Sequence, residues 1–401
     1  MDYYDVLIIG AGPAGSRVAC KLAGLGYKAA VLEKHEGIGD HVCCTGIISR
    51  ECGELFDIPQ ACILEAANSA RLFAPSGEFL SIRKDEVQAY ILDRAAFDAS
   101  LAEKAEKQGA EYLLAACAKD ISIRDEGVEV RVDQRGEALT FRGKVAIIAN
   151  GFASGLPQKL GLGQIKDFII GAQTEVETNG ISEIEVHFSQ RIARGFFAWL
   201  VPLSQHRARA GLFSRESPGN CLRDFLAQLA AQGKISPAEP GIIYGGIPLR
   251  PLPRTYDERV LVVGDAAGQV KPTTGGGIYY GLLCADMAAE AIHEAFSLND
   301  FSKRQLAQYE KLWKEKLGRE LQIGYFARRL YNRLSDRGIN KIFDIVRENN
   351  IHDALLDSPH FSFDRHSELI LEGLKHLAPW RHLFGKVIPA QIPKAQDSRG
   401  V

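Results

Sequence analysis

The sequence predicts an α/β protein, α+β overall. A parallel-sheet domain is assembled from separated pieces, an antiparallel-sheet domain is inserted between them, and a helical region closes the chain. Three observations predict this. Short runs of buried-strand character at 6–9, 145–149 and 260–263 each lead straight into a glycine-bearing turn. Segments 183–188, 196–201 and 207–213 alternate with a period of two, as antiparallel strands with one covered face do. Beyond Phe301 the pattern becomes helical and charged, with 309–334 its longest stretch.

Composition bounds the answer. A chain of 401 residues suggests two or three domains, and 46% hydrophobic with 24% charged residues is ordinary for a folded globule. Lys plus Arg is 48 against 50 Asp plus Glu, a net charge of −2, which argues against a nucleic-acid coat protein or an acidic solvating chain. The longest uncharged stretches, 145–158 and 272–285, are too short and too rich in Gly, Thr and Asn to span a bilayer. No basic segment precedes the first apolar run, so no export signal is visible. Eight cysteines, two of them the adjacent Cys43 and Cys44, are too sparse for a disulfide framework, and the expected location is the cytoplasm.

In order, Val6-Leu7-Ile8-Ile9 is a strand, Gly10-Ala-Gly12-Pro-Ala14-Gly15 a turn, 16–23 a helix stopped by Gly26, and 28–32 a second strand ending at Glu33. A loop-rich stretch covers 36–49, and short strands cover 68–90. A helix over 93–108 is capped by Asp93 and ended by Gly109. Strands follow near 111–115, 119–124, 127–132 and 138–142. A helix near 218–232 interrupts the antiparallel region, and a long helix covers 277–296. The tail after Pro389 reads as frayed.

GxGxxG alone is a weak signal, but here it follows a strand, opens a helix, and an acidic residue stands at a strand end 18 residues after Gly15. Gly10 permits the tight turn, Gly12 lets backbone approach a pyrophosphate, and Gly15 lets helix and strand pack closely. The helix start offers free N–H groups and partial positive charge to phosphates. Glu33, followed by Lys34, can accept both hydroxyls of an adenosine ribose, and its charge disfavours a 2′-phosphate. The reading is a Rossmann-like dinucleotide site.

A second strand–turn–helix unit is Leu261-Val-Val-Gly264-Asp265-Ala-Ala-Gly268, followed by Pro272-Thr-Thr-Gly275-Gly276-Gly277-Ile278-Tyr279-Tyr280-Gly281. With it the chain resembles the FAD-binding proteins of the p-hydroxybenzoate-hydroxylase type. The resemblance implies that Asp265 bonds the ribityl chain, that Gly275, Gly276, Gly277 and Ile278 begin a helix facing the flavin pyrimidine, and that Arg94 lies near FAD. A helix N-terminus there would stabilise the charge of reduced flavin. The group usually has Asp-Gly where this chain has Asn150-Gly151, which keeps the turn but loses a charge.

Within that group the chain is similar to the geranylgeranyl reductase family from residue 5 to about 320. Val42-Cys43-Cys44-Thr45-Gly46-Ile47-Ile48-Ser49 looks like that family's cysteine loop. Phe197-Ala-Trp199-Leu-Val201-Pro202 looks like its Tyr-x-Trp-x-Phe-Pro strand, and Lys271 to Gly277 like its flavin loop. Gly46 and Ile47 stand where the family often has Glu and Gly. The resemblance implies FAD as cofactor, Cys44 and Gly46 near the flavin, and a lipid cavity lined by Phe197, Trp199, Val201 and Pro202. It implies reduction of carbon–carbon double bonds in a geranylgeranyl or polyprenyl chain of a lipid or quinone. The expected domains are then 1–65, 91–160 and 255–300 for FAD, 66–90 and 161–254 for a substrate sheet, and a helical region 301–401.

Several residues keep two readings. Period two puts Phe197, Trp199 and Val201 on one strand face, which serves equally as core or as ligand wall. Cys44 is a substrate-positioning or proton-donating thiol, or an inert buried one. Tyr279 and Tyr280 are acid candidates or helix-packing residues. The ten His show no HxxxH or HExxH spacing, so no metal is expected. Residues 301–337 hold ten Lys/Arg against four acids, with Trp313, Tyr325, Phe326 and Tyr331 interspersed. That segment is a solvated helix face or a peripheral contact with the cytoplasmic face of a membrane. The reductant is NAD(P)H or a ferredoxin-like donor. The competing activity is an aromatic-ring monooxygenase using FAD, NAD(P)H and O₂. A quinone-linked dehydrogenase would need a cysteine-rich C-terminal segment, whereas the last cysteine here is Cys284. A purely electron-carrying flavoprotein would lack an apolar cavity.

Overall fold

The computed structural model describes residues 3–40, 42–152, 155–237 and 241–380, so the tail after Pro389 lies outside it. The chain forms two compact units. One comprises Met1–Val42, Asp93–Phe168 and Ile247–Gly318; the other comprises Cys43–Leu92, Ile169–Gly246 and Arg319–Val401.

The first unit is built on an eight-stranded sheet. Its central order is Tyr256–Asp257, Val260–Val262, Glu137–Ile148, Tyr3–Ile9, Ala29–Leu32 and Glu111–Leu113. The strands from Val260–Val262 to Glu111–Leu113 run parallel. Parallel strands covered on both faces read as continuous apolar runs, and Val6, Leu7 and Ile8 are fully buried. Each such side chain contributes roughly 1.5–3 kcal/mol of burial free energy. The helix Pro13–Gly24 packs on Arg94–Lys107 and on Ile278–Leu298. The opposite face, with Leu7, Ile9, Ala30, Leu32, Ala146 and Ile148, is covered by Ile121, Val128, Val130 and Val132. Those residues come from the antiparallel strands Ala116–Arg124 and Gly127–Gln134. The expected separate strands 138–142 and 145–149 are one long strand, antiparallel to Gly127–Gln134 in its first half and parallel to Tyr3–Ile9 in its second.

The second unit has a seven-stranded sheet in the order Ile243–Pro248, Phe168–Glu177, Arg207–Ser214, Phe197–Ser204, Ile184–Phe188, Ser69–Phe73 and Phe79–Arg83. Ile184–Phe188 runs parallel to Ser69–Phe73, while the ladders joining Phe168–Glu177, Arg207–Ser214, Phe197–Ser204 and Ile184–Phe188, and that of Ser69–Phe73 with Phe79–Arg83, are antiparallel. Ala172, Val176, Ala198, Leu200, Ala208, Ala210 and Leu212 pack one face on Leu222, Phe225, Leu226 and Leu229 of helix Pro218–Ala231.

The contact-defined boundaries differ from those expected. Residues 43–65, expected with the FAD domain, belong to the second unit because Ile47–Ser49 and Ile63–Ala67 both pair with Ala89–Leu92 in a three-stranded sheet. The region 301–401 is not one body. Helix Lys303–Tyr331 buries Leu306, Tyr309, Trp313 and Leu317 in its first half, within the first unit. Trp313, one of the aromatics of the segment read as a solvated helix face or a membrane contact, is 1% exposed and donates its indole N–H to Thr255 Oγ1 at 2.9 Å. No described helix is long and apolar enough to cross a membrane.

Candidate active site

In the first unit the glycine turn is required by contact. Gly10 has φ +107°, and a Cβ there would stand 2.6 Å from Ala149 O and 2.7 Å from Asn150 Cα. A Cβ at Gly15 would run into Gly10 O, whereas nothing lies within 4 Å of one at Gly12. The turn therefore closes on the sheet at both ends and stays open in the middle, as backbone that receives a phosphate must. Ala14 at the helix start lies against Gly264 and Gly281, which joins the two glycine units. Glu33 is buried; one carboxylate oxygen accepts the Ala11 N–H at 2.8 Å and the other the His35 N–H at 3.0 Å. Lys34 is exposed beside it. Gly151 has φ +75°, and the Asn150 Oδ1 next to it is buried without a hydrogen-bond partner. An orphaned acceptor at a dinucleotide turn fits a group that brings its own donors.

The second glycine unit stands in the same body. Gly264 and Gly275 have φ +70° and +74°, conformations that glycine adopts at little cost. Asp265 sits in the turn Gly264–Ala267, and a Cβ at Gly277 would lie 2.7 Å from its Oδ1. Burial pushes the Asp265 carboxyl up to about 6, against the pull of the Arg94 guanidinium. Arg94 makes a two-pronged ion pair with Asp98 (Nη2 to Oδ1 2.9 Å and to Oδ2 3.1 Å). Burial raises the Asp98 carboxyl despite that arginine. Gly276 is closed by the buried Lys271, whose Cε would be 2.7 Å from its Cβ. Helix Ile278–Leu298 begins directly after Gly277. Tyr279 and Tyr280 on its first turn are 5% and 2% exposed with ring centroids 6.2 Å apart, the burial expected of helix-packing residues. These residues can hold a flavin dinucleotide: an open amide turn for phosphates, a buried carboxylate for ribose, and a half-buried aspartate for a polyol chain.

The other two sequence features meet in the second unit. The carbonyl oxygens of Cys44 and Thr45 accept Arg209 Nη1 at 3.3 and 2.8 Å, and Cys44 O also accepts Gln173 Nε2 at 3.1 Å. Arg209 Nη2 is braced by Glu175 Oε1 at 2.8 Å. Cys44 Sγ accepts the Gly46 N–H at 3.3 Å, and Gly46 has φ +80°. Burial, then the neighbouring Cys44, pushes the Cys43 thiol up to about 12, while Arg209 pulls it down. Phe197, Trp199 and Val201 share the sheet face opposite helix Pro218–Ala231, and Pro202 follows at a register shift in the ladder. Trp199 pairs with Gly211, where a Cβ would stand 2.6 Å from the indole Cε2. Phe213 likewise covers its partner Gly171. Two glycines thus let two rings lie flat on the sheet, with Phe196 and Phe197 edge-on beside Phe213 at 4.8 and 5.9 Å.

Sequence reasoning missed Gln173, Arg209, Gly171, Gly211, Gln269 and Tyr309. The alternation of Gly211 with Arg209 along one strand face was the available signal for two of them. Among the described residues no group of three or more His, Cys, Asp or Glu is placed to hold a metal.

The family model described as lycopene cyclase protein matches residues 5–352. A digeranylgeranylglycerophospholipid reductase of Methanocaldococcus jannaschii is 32% identical over 359 residues, covering 86% of this chain and 91% of that one. The crystal structure of a geranylgeranyl bacteriochlorophyll reductase-like protein from Thermoplasma acidophilum superposes with TM-score 0.83 at 26% identity, covering 96% of this chain and all of that one. A flavin-dependent brominase shares the fold at TM-score 0.68 and 19% identity, covering 88% and 93%. FAD is the cofactor of this fold. Matched along nearly its whole described length by these proteins, the chain belongs to the geranylgeranyl reductase family of FAD-dependent oxidoreductases.

Proposed function

We propose that this chain saturates the isoprenoid double bonds of an archaeal-type glycerophospholipid carrying geranylgeranyl chains. The observation that carries this reading is the similarity along 86% of the chain to a reductase named for that lipid. The aromatic sheet face supports it. A polyprenyl chain offers no polar handle except at its head, so it is best held by flat apolar surface, which Trp199 over Gly211 and Phe213 over Gly171 supply.

Bound, reduced FAD supplies the hydride that one alkene carbon receives. The chain's own task is to align the alkene, exclude water and deliver a proton to the other carbon. We assign that proton, or the placement of the alkene, to Cys44, whose Sγ is directed by the Gly46 N–H and whose loop is held by Arg209 and Gln173. Cys43 plays no part, and Tyr279 and Tyr280 are the alternative acids. Glu33 and the Gly10–Gly15 turn hold the adenosine half of the cofactor, Asp265 and Arg94 the flavin half. NAD(P)H or a ferredoxin-like protein reloads the flavin, and the lipid is met at the cytoplasmic face of a membrane.

The test is anaerobic. The protein is photoreduced, which removes the need for a donor, and mixed with geranylgeranyl phospholipid or a prenylquinone while flavin reoxidation is followed. The expected result is a phospholipid that gains a pair of hydrogens for each double bond. Reoxidation by the quinone alone redirects the substrate assignment. Hydroxylation of an aromatic compound under air, with no alkene reduced, would replace the proposal with a monooxygenase.

A further inference from the structure

Two residues outside both glycine motifs control the turn that carries Asp265. The side chain of Gln269, fully buried, accepts the Gly264 N–H on Oε1 at 2.8 Å, while its own backbone N–H donates to Gly264 O at 3.1 Å. Both peptide groups that flank the Gly264 Cα are therefore held by Gln269, at a residue with φ +70°. Gln269 Nε2 donates to the hydroxyl of Tyr309 at 2.8 Å, and that hydroxyl donates to Val262 O at 3.0 Å, the last residue of the strand leading into the turn. Tyr309 is also fully buried, and burial raises its phenol well above the ordinary range, so its one proton stays available for Val262.

The helix bearing Tyr309 is fixed independently. Glu310 Oε2 accepts both the N–H and the hydroxyl of Thr255, at 2.7 and 3.0 Å, and Trp313 donates to the same hydroxyl oxygen. The hydroxyl of Tyr309 thus has a rigid backing on one side and the flavin turn on the other. A buried amide bonded through both its oxygen and its nitrogen is costly to disturb, because removing one partner leaves buried donors or acceptors unpaired.

We propose that Gln269 and Tyr309 are positioning residues for the cofactor, a clamp that holds the Gly264 turn where the Asp265 carboxylate can meet the ribityl hydroxyls of FAD. Neither residue need touch FAD. The first half of helix Lys303–Tyr331 then belongs to the cofactor site. The proposal rests on the placement of the ribityl chain at Asp265 and is independent of which substrate is reduced.

The experiment titrates cofactor-free protein with FAD, following flavin fluorescence, for Gln269→Leu, Tyr309→Phe, Asp265→Ala and the two double variants with Asp265→Ala. Gln269→Leu is expected to weaken FAD binding about tenfold and Tyr309→Phe about threefold. Because both act through Asp265, each effect should fall below twofold in the Asp265→Ala background, and the absorption band of bound flavin should shift in the single variants as it does in Asp265→Ala. A merely structural role would leave the effects multiplicative, and that result overturns the proposal. So does an affinity within twofold of the parent for Tyr309→Phe, which keeps the buried ring and serves alone if Gln269→Leu does not fold. Unchanged FAD affinity in Asp265→Ala would remove Asp265 from the ribityl chain, sinking that placement and the clamp together.

Discussion

One carboxylate oxygen of Glu33 accepts the amide N–H of Ala11 at 2.8 Å, across the turn that separates the first strand from its helix. The other oxygen accepts the His35 N–H at 3.0 Å. Both bonds use one lone pair per oxygen and leave the others for ribose hydroxyls. The buried Glu33 therefore orders the glycine turn before any cofactor arrives. Glu33→Gln presents an amide N–H₂ to one of those backbone donors, so one bond is replaced by a repulsive contact. FAD affinity should fall roughly tenfold to a hundredfold, measured by flavin fluorescence. A loss of less than twofold would show that Glu33 only braces the turn.

Asp265 makes the cofactor-free protein sensitive to pH. Its carboxyl is raised by burial to about 6, so the folded chain binds that proton more tightly than the unfolded chain does. The resulting stability is complete below the ordinary carboxylate range and is lost as pH rises through 6. At pH 7 the ionised, half-buried Asp265 should cost up to about 3 kcal/mol. Asp265→Asn removes that cost, so cofactor-free Asp265→Asn should melt above the parent at pH 7 and level with it near pH 4. FAD hydroxyls favour the ionised form, so parent affinity should rise between pH 5 and 7 and the variant's should not. Parallel melting curves across this range would contradict the assignment.

The legible part of the chain was the part where backbone geometry dictates residue type. Gly10, Gly15 and Gly264 are glycine because a Cβ would strike backbone or a packed helix, and such positions keep their spacing in sequence. The clamp of Gln269 and Tyr309 was invisible because it joins residues 40 apart, neither of which any local conformation requires. The strand Ile47–Ser49 is too short to leave a period, so its pairing with Ala89–Leu92, which carries 43–65 into the second unit, leaves no mark in the sequence. The burial of Trp313 was legible in the spacing. Leu306, Tyr309, Trp313 and Leu317 stand three and four apart, the seam of a helix packed on a core, and a count of charges cannot show which face holds them.

The loop of Cys44 depends on Arg209, whose side chain is only 11% exposed and whose Nη1 reaches both Cys44 O and Thr45 O. Arg209→Lys keeps the charge but cannot serve two carbonyls and Glu175 with one planar fork. Turnover should drop about tenfold while FAD affinity stays within twofold, because no residue of the Gly10–Gly15 or Gly264–Gly277 turns is altered. Cys44→Ala should lower turnover at least as much. If Arg209→Lys is silent while Cys44→Ala is not, the thiol acts without help from its clamp.

Gly211 should tolerate no side chain. A Cβ there would enter the Trp199 indole, and the indole sits on a sheet whose other face is packed by Leu200 and Leu212. The ring must lift, which costs about 1–3 kcal/mol of stability and removes the flat surface. Gly211→Ala should therefore lower the melting temperature and raise KM for long prenyl lipids more than for a short prenyl alcohol. Equal effects on both substrates would mean that Trp199 serves only the core.

Membrane contact, if made by 301–337, must be electrostatic. Trp313 is buried and Tyr325, Phe326 and Tyr331 are half-buried, while the exposed Lys303 and Arg319 pair with Asp257 and Glu368 outside the segment, so no ring is fully exposed and part of the charge excess is offset. Arg304, Lys311, Lys316, Arg329, Arg333 and Arg337 are exposed. Attraction through such residues is worth about 1 kcal/mol each near an anionic surface and decays within a Debye length of roughly 10 Å at 0.1 M salt. Without an inserted aromatic there is little hydrophobic term to survive screening. Co-sedimentation with anionic vesicles should be strong at low ionic strength and vanish near 0.5 M salt. Lys311→Glu with Lys316→Glu should weaken it at least tenfold and leave FAD binding unchanged. Binding that persists in high salt would point to an apolar anchor elsewhere in the chain, and absence of binding at low salt would return this helix face to solvent.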